Sequence, residues 1–109
     1  MKTALITGSS GFVGQHLSSA LVKNHIQVIN FSRSLNQQLV KAADFARLPS
    51  VDAVFHLGAI SGYKDCNDNT HLAYQVNVLG TINVLEYCRR TGAKLIFPST
   101  YVYDAPYEM

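Results

Sequence analysis

A three-layer α/β fold around a parallel sheet is predicted by two features of this sequence. Four short apolar runs, each bounded by Gly, Pro, Asn, Ser or Asp, alternate with longer stretches of helical periodicity, and the first run leads through a glycine-rich turn straight into a helix. With right-handed crossovers and short connections, the natural strand order is 3-2-1-4, which puts the ligand crevice between strands 1 and 4, where the order reverses.

The runs are TALIT (3–7), QVINF (27–31), AVFHL (53–57) and KLIFP (94–98), apolar enough to read as buried parallel strands. In the first connection Val13, Leu17, Ala20 and Leu21 recur at three- and four-residue spacing, which predicts a helix over about 12–24 with one face on the sheet. The second connection, SRSLNQQLVKAADFARLPS, is short and polar, with room for two or three turns around Leu35, Leu39 and Val40. The third helix begins at Asn69 or Thr70, whose side chains can accept from exposed amides. It carries Arg89 and Arg90 in its last turn and stops at Gly92. Leu72, Val76, Leu79, Ile82 and Leu85, with Val78 and Val84 on other faces, make it apolar on more than one side, so a cover besides the sheet is expected.

At 109 residues the chain is one domain at most. Apolar residues make up 48% and charged residues 15%, so surface charge is sparse and some apolar surface expects a neighbour. The net charge of +2 is spread along the chain, with only Arg89 and Arg90 adjacent, which leaves no footprint for nucleic acid. No apolar stretch approaches membrane-spanning length. Cys66 and Cys88 form no metal-ligand pattern and read as free thiols, so the expected compartment is the cytoplasm.

The turn after strand 1 is TGSSGFVG, residues 7–14. Gly8 permits the tight turn, Gly11 lets backbone approach a pyrophosphate, and Gly14 lets the helix lie close on the strand. Ser10, Phe12 and Val13 complete the loop, whose helix amino terminus faces the phosphates. The alternative for three glycines is a purely structural turn.

The spacing G-x-x-G-x-x-G preceded by Thr resembles the short-chain dehydrogenase/reductase superfamily. Four further stretches resemble its extended branch, the NAD-dependent epimerase/dehydratase family acting on nucleotide sugars: AADF, VDAVFHLGAISG, NVLGTINVLEYCRRTG and LIFPSTYVYD, in order across nearly the whole chain. The resemblance implies a Rossmann-like fold and hydride transfer through a keto-sugar intermediate, with a nicotinamide dinucleotide and a nucleotide sugar as partners and a homo-oligomer as one expected state.

Carried over position by position, the resemblance assigns Asp44 to the adenine amino group and the Phe45 amide to a ring nitrogen. Leu57, Gly58 and Ala59 run toward the dinucleotide, Gly58 standing where the family usually has alanine, a change expected to be tolerated. Asn77 supports backbone near the site, and His56 is expected to be a hydrogen-bonded core histidine. Ser99 takes the place of the catalytic Ser or Thr, with Thr100 as runner-up; Pro98 and Asp104 depart from the pattern around them. The acidic residue that ends strand 2 in NAD-preferring members is replaced by Ser32, followed by Arg33, a guanidinium suited to a 2′-phosphate. NADP is therefore the expected cofactor, with NAD as the alternative.

The family's base is a Tyr whose phenol is acidified by a Lys four residues later. No Y-x-x-x-K occurs among these residues. The expectation is an amino-terminal, dinucleotide-binding portion of such an enzyme, inactive by itself, whose last strand lacks a neighbour; the competing reading is a non-catalytic dinucleotide-binding or interaction module.

Overall fold

The computed structural model describes residues 1–60 and 67–98. Strands β1 (Thr3–Thr7), β2 (Gln27–Phe31), β3 (Ala53–His56) and β4 (Lys94–Ile96) form one parallel sheet. Helix α1 (Phe12–Lys23) joins β1 to β2. Between β2 and β3 lie a 3₁₀ turn (Arg33–Leu35) and the four-residue helix α2 (Ala43–Ala46), so Leu39 and Val40 fall in irregular chain rather than in a helix. Helix α3 (Thr70–Tyr74) passes through a π-helical segment (Gln75–Leu79) into α4 (Gly80–Thr91).

The strand order is β2-β1-β3-β4, which corrects the expected 3-2-1-4. Strand β3 pairs with β1 in the register Ala4↔Ala53 to Thr7↔His56 and does not lie outside β2. Two features fix this choice. At the carboxyl end Gly8 and Gly58 let the two backbones meet: a Cβ on Gly8 would stand 2.8 Å from the Gly58 nitrogen. At the amino end Asp52 clamps β1, its Oδ2 accepting from the Lys2 and Thr3 amides at 2.7 and 3.0 Å. The order therefore reverses between β1 and β3, and the crevice opens there rather than between strands 1 and 4.

Crossover handedness sets the layers. The chain moves one way from β1 to β2 and the other way from β2 to β3 and from β3 to β4, so right-handed connections put α1 on one face and α2 and α4 on the other. Accordingly Leu5 and Val54 of the sheet, Phe45 and Val51 of the second connection, and Val84, Tyr87 and Cys88 of α4 share one core with Phe31. Phe31 stacks on Phe45 at 4.6 Å. Full burial of side chains such as Leu5 contributes about 1.5–3 kcal/mol each. Opposite, α1 packs on β1 and β2 with Leu17 and Leu21 half-buried, while Val13 and Ala20 of its expected apolar face are exposed.

Helix α3 starts at Asn69 without the expected side-chain cap: the Asn69 carbonyl accepts from the Ala73 amide, and the Thr70 hydroxyl donates to the Asn67 carbonyl. Gly92 ends α4 at φ 76°, as read from the sequence. Of the apolar positions read along this helical stretch, Leu72, Leu79, Ile82 and Leu85 are exposed, as is Val78, whereas Val84, expected on another face, is the one fully buried on the sheet. Among the described residues no helix is long and apolar enough to cross a membrane.

Candidate functional site

Above the carboxyl ends of β1 and β3 lies an open cleft of about 880 Å³. Its first wall is the glycine turn. Gly8 has φ 67°, a left-handed conformation that side chains resist, and its amide donates to the Phe31 carbonyl at 2.9 Å, which ties the turn to the end of β2. Gly14 meets the turn from above: a Cβ there would collide with the Gly8 carbonyl and stand 2.8 Å from Ser9 Cα. The Gln15 side chain closes the loop by donating to the Ser10 carbonyl at 2.7 Å.

Gly11 is the N-cap of α1 and supplies no side-chain acceptor. The amides of Phe12, Val13 and Gly14 lie in the first turn, where a helix offers its own donors no acceptor. These three residues line the cleft, and the first turn of α1 has no acidic residue, an arrangement suited to a negative ligand. Arg33 is the one formally charged side chain among the described lining residues, and no carboxylate is among them.

The second wall comes from the 3₁₀ turn after β2. The Ser32 hydroxyl accepts from the Ser34 amide at 3.1 Å and pairs with the Ser34 hydroxyl at 2.6 Å. The turn so formed places exposed Arg33 and Ser34 beside Ser10 and Gly11. The third wall is Leu57, Gly58, Ala59 and Ile60, and Leu72 and Val76 also line the cleft. Exposed Phe12 and Val13 give the mouth an apolar rim.

The structure thus brings Gly8, Ser10, Gly11, Phe12, Val13, Gly14, Ser32, Arg33, Leu57, Gly58 and Ala59 around one cleft. It does not bring Asp44, Phe45 or Asn77 into the lining. The Asp44 carboxylate accepts from the Gln38 amide at 2.9 Å, and the Phe45 amide donates to the Ala42 carbonyl while its ring sits in the core. Asn77 holds the third wall from behind: it donates to the Ile60 carbonyl and accepts from the Ile60 amide, both at 2.8 Å. Ser99 and Thr100 lie outside the described residues, as do Tyr63, Cys66, Tyr101, Tyr103, Asp104 and Tyr107.

Sequence reading missed Leu39 as a cleft residue. Its backbone carbonyl accepts from the Asn83 side chain at 2.7 Å, and its side chain fills the room left by two glycines. A Cβ on Gly58 would meet Leu39 Cδ1 at 2.8 Å, and one on Gly80 would meet Leu39 Cβ at 2.8 Å. Leu39 therefore occupies the space of the alanine that the family pattern has at position 58. The signal was the pairing of Gly58 with Gly80, visible only once the helix and strand are known to face each other.

Neither Tyr87 nor Cys88 of the core offers a base. Tyr87 is buried, its hydroxyl donates to the Pro49 carbonyl, and burial pushes its phenol above the ordinary tyrosine range. Burial likewise raises the Cys88 thiol. Among the described residues no cluster of His, Cys, Asp or Glu is placed to hold a metal ion.

Residues 4–108 match the model of the NAD dependent epimerase/dehydratase family. The chain is 37% identical over 110 residues to a 2-alkyl-3-oxoalkanoate reductase of Stenotrophomonas maltophilia, covering 88% of this chain and 32% of that protein. It is 31% identical over 120 residues to UDP-glucuronic acid decarboxylase 1 of Arabidopsis thaliana, covering 95% and 28%. A crystal structure of Thermus thermophilus UDP-glucose 4-epimerase in complex with NAD superimposes with a TM-score of 0.82 at 26% identity, covering 90% of this chain and 37% of that one. The chain spans about a third of the length of these relatives.

Proposed function

Since this chain belongs to the NAD dependent epimerase/dehydratase family, we propose that it is the dinucleotide-binding portion of an enzyme that epimerises, dehydrates or reduces a nucleotide-linked sugar. The observation that carries the proposal is the start of α1: first-turn amides without a side-chain cap, opening into a cleft whose described lining has one formal charge, the cation Arg33. The residues present fit a nicotinamide dinucleotide. Gly8 and Gly14 keep the turn flat where a Cβ would fill it, and Phe12, Val13 and Gly14 supply donors for the diphosphate. Leu39, Leu57 and Gly58 give the cleft apolar walls for the nucleoside portions. When bound, the dinucleotide supplies hydride exchange with a carbon of the substrate.

NADP is the preferred form. Ser32 follows β2 where a carboxylate would repel a 2′-phosphate, and its hydroxyl shapes the turn that presents Arg33 and the Ser34 hydroxyl at the cleft. For adenine recognition the sequence pattern proposes Asp44, whose Oδ2 accepts from the Gln38 amide, and the Phe45 amide, which donates to the Ala42 carbonyl. Asn77 acts through the Ile60 backbone. Ser99, with Thr100 second, is proposed from the sequence pattern to hydrogen-bond the reacting sugar oxygen. With no Tyr followed at the fourth position by Lys, this chain alone binds dinucleotide without turning over sugar.

Calorimetric titration of the chain with NADPH and NADH tests the proposal. Binding of NADPH more tightly than NADH is expected; tighter NADH binding removes the Arg33 argument, and binding of neither removes the function. A nucleotide-sugar turnover assay on the same chain is expected to read zero.

A further inference from the structure

We propose that His56 is a positioning residue for this cleft, its ring locking the Gly58–Ile60 wall to β1 through Thr7 and to the helical layer through Thr81. The inference deepens the dinucleotide reading and rests on it.

Thr7 and His56 are both buried. His56 Nδ1 stands 2.6 Å from the Thr7 hydroxyl, and Nε2 stands 3.0 Å from the Thr81 hydroxyl. The Thr7 oxygen also accepts from the Gly58 amide at 3.0 Å. On the other side the Thr81 hydroxyl donates to the Asn77 carbonyl at 2.6 Å, and the Asn77 side chain holds both backbone groups of Ile60 at 2.8 Å. Gly58 and Ile60 line the cleft, whereas His56, Thr7, Thr81 and Asn77 stand behind it. The chain of contacts therefore runs from one wall residue, Gly58, through the glycine-turn strand and the helix, and back to another, Ile60.

Proton counting fixes the ring. A threonine hydroxyl has one proton, and that of Thr81 goes to the Asn77 carbonyl, so its oxygen can only accept from the imidazole: Nε2 carries the hydrogen. In the neutral ring Nδ1 then accepts from the Thr7 hydroxyl, whose oxygen remains free to take the Gly58 amide. Every donor in the chain has an acceptor. A second proton on Nδ1 would face the Thr7 oxygen and leave the fully buried Thr7 hydroxyl proton without its acceptor. Burial also lowers the basicity of the ring, in keeping with one neutral tautomer. The Asn77 end of the chain lies in the π-helical segment, where a local widening of the helix shifts its register beside the site.

Nitrogen-15 spectra of the whole chain read the ring directly. The expected pattern is a protonated Nε2 and an unprotonated, hydrogen-bonded Nδ1; the opposite tautomer, or a ring exchanging between the two, overturns the proposal without any mutation. Thr81→Val removes the acceptor for Nε2–H, and Thr81→Ser restores it. The valine variant is expected to speed exchange of the Gly58 and Ile60 amides and to weaken NADPH binding roughly threefold to thirtyfold, with the serine variant near the parent. Unchanged amide exchange and affinity in Thr81→Val contradict the proposal. If the parent chain binds no dinucleotide at all, the reading of the cleft falls, and the tautomer and the two amides decide the coupling of His56 to the wall by themselves.

Discussion

The two ends of the β1–β3 pair are built on opposite principles. At the amino end a carboxylate meets the backbone: Asp52 accepts from the Lys2 and Thr3 amides, and its own amide donates to the Thr3 carbonyl at 3.1 Å and the Thr3 hydroxyl at 3.0 Å. At the carboxyl end the same two strands are joined by glycines, and the helix that follows opens without a side-chain cap on a cleft with no described carboxylate. One end satisfies its donors and contributes stability. The other leaves the first-turn donors of α1 without a side-chain cap, which is why the site is proposed there.

The largest effect is expected from breaking the carboxyl end. Gly8→Ala combines a left-handed φ with a Cβ 2.8 Å from the Gly58 backbone, where nothing flexible can yield. A loss of about 3 kcal/mol in chemical denaturation is expected, with loss of dinucleotide binding in whatever remains folded. A stable variant that still binds would show that the β1–β3 approach is not what shapes the turn.

Next comes the charge of the cleft. Arg33 is exposed, so Arg33→Ala is expected to leave stability unchanged while weakening NADPH about tenfold to a hundredfold and NADH little, the scale of a lost charged hydrogen bond. Equal losses for both cofactors would assign Arg33 to the diphosphate rather than to the 2′-phosphate.

Tyr87→Phe sharpens the comparison from the core. The substitution keeps the ring packing on Phe45 and removes the donor to the Pro49 carbonyl, for an expected cost of about 1 kcal/mol with dinucleotide affinity unchanged.

The smallest effect belongs to the amino end. The Lys2 and Thr3 amides, first among its causes, hold the Asp52 carboxyl below its usual value. A depressed folded-state value contributes stability that is complete above the unfolded carboxylate range, around pH 4, and is lost as pH falls through the folded value. The parent is therefore expected to be slightly more stable than Asp52→Asn at neutral pH, with the two converging below about pH 4. A difference that persists in acid would assign the effect to something other than the carboxylate.

The first two strands were legible to the residue because β-branched and apolar runs end abruptly at Gly8 and at the polar Ser32. The strand order was not. Local periodicity says that a segment is a strand, yet its neighbour depends on contacts such as Gly8 with Gly58 and Thr7 with His56, separated by about fifty positions and unmarked by any period. The glycine turn and Arg33 were read where the cleft now holds them. Asp44 and the Phe45 amide were matched by resemblance in a connection too short and irregular for propensity to describe, where the Phe45 ring lies in the core and Leu39 lines the cleft. His56 was read as a satisfied core histidine, which its two hydroxyl partners bear out; the wall it ties down could not be seen from spacing.

The central claim is that the opening amides of α1 grip a dinucleotide diphosphate, and amide-resolved hydrogen exchange with and without NADPH tests it most directly. The account predicts slowed exchange at Phe12, Val13 and Gly14 in the presence of NADPH, with Ser34 also affected. Unchanged exchange at those amides under saturating NADPH and NADH would contradict it.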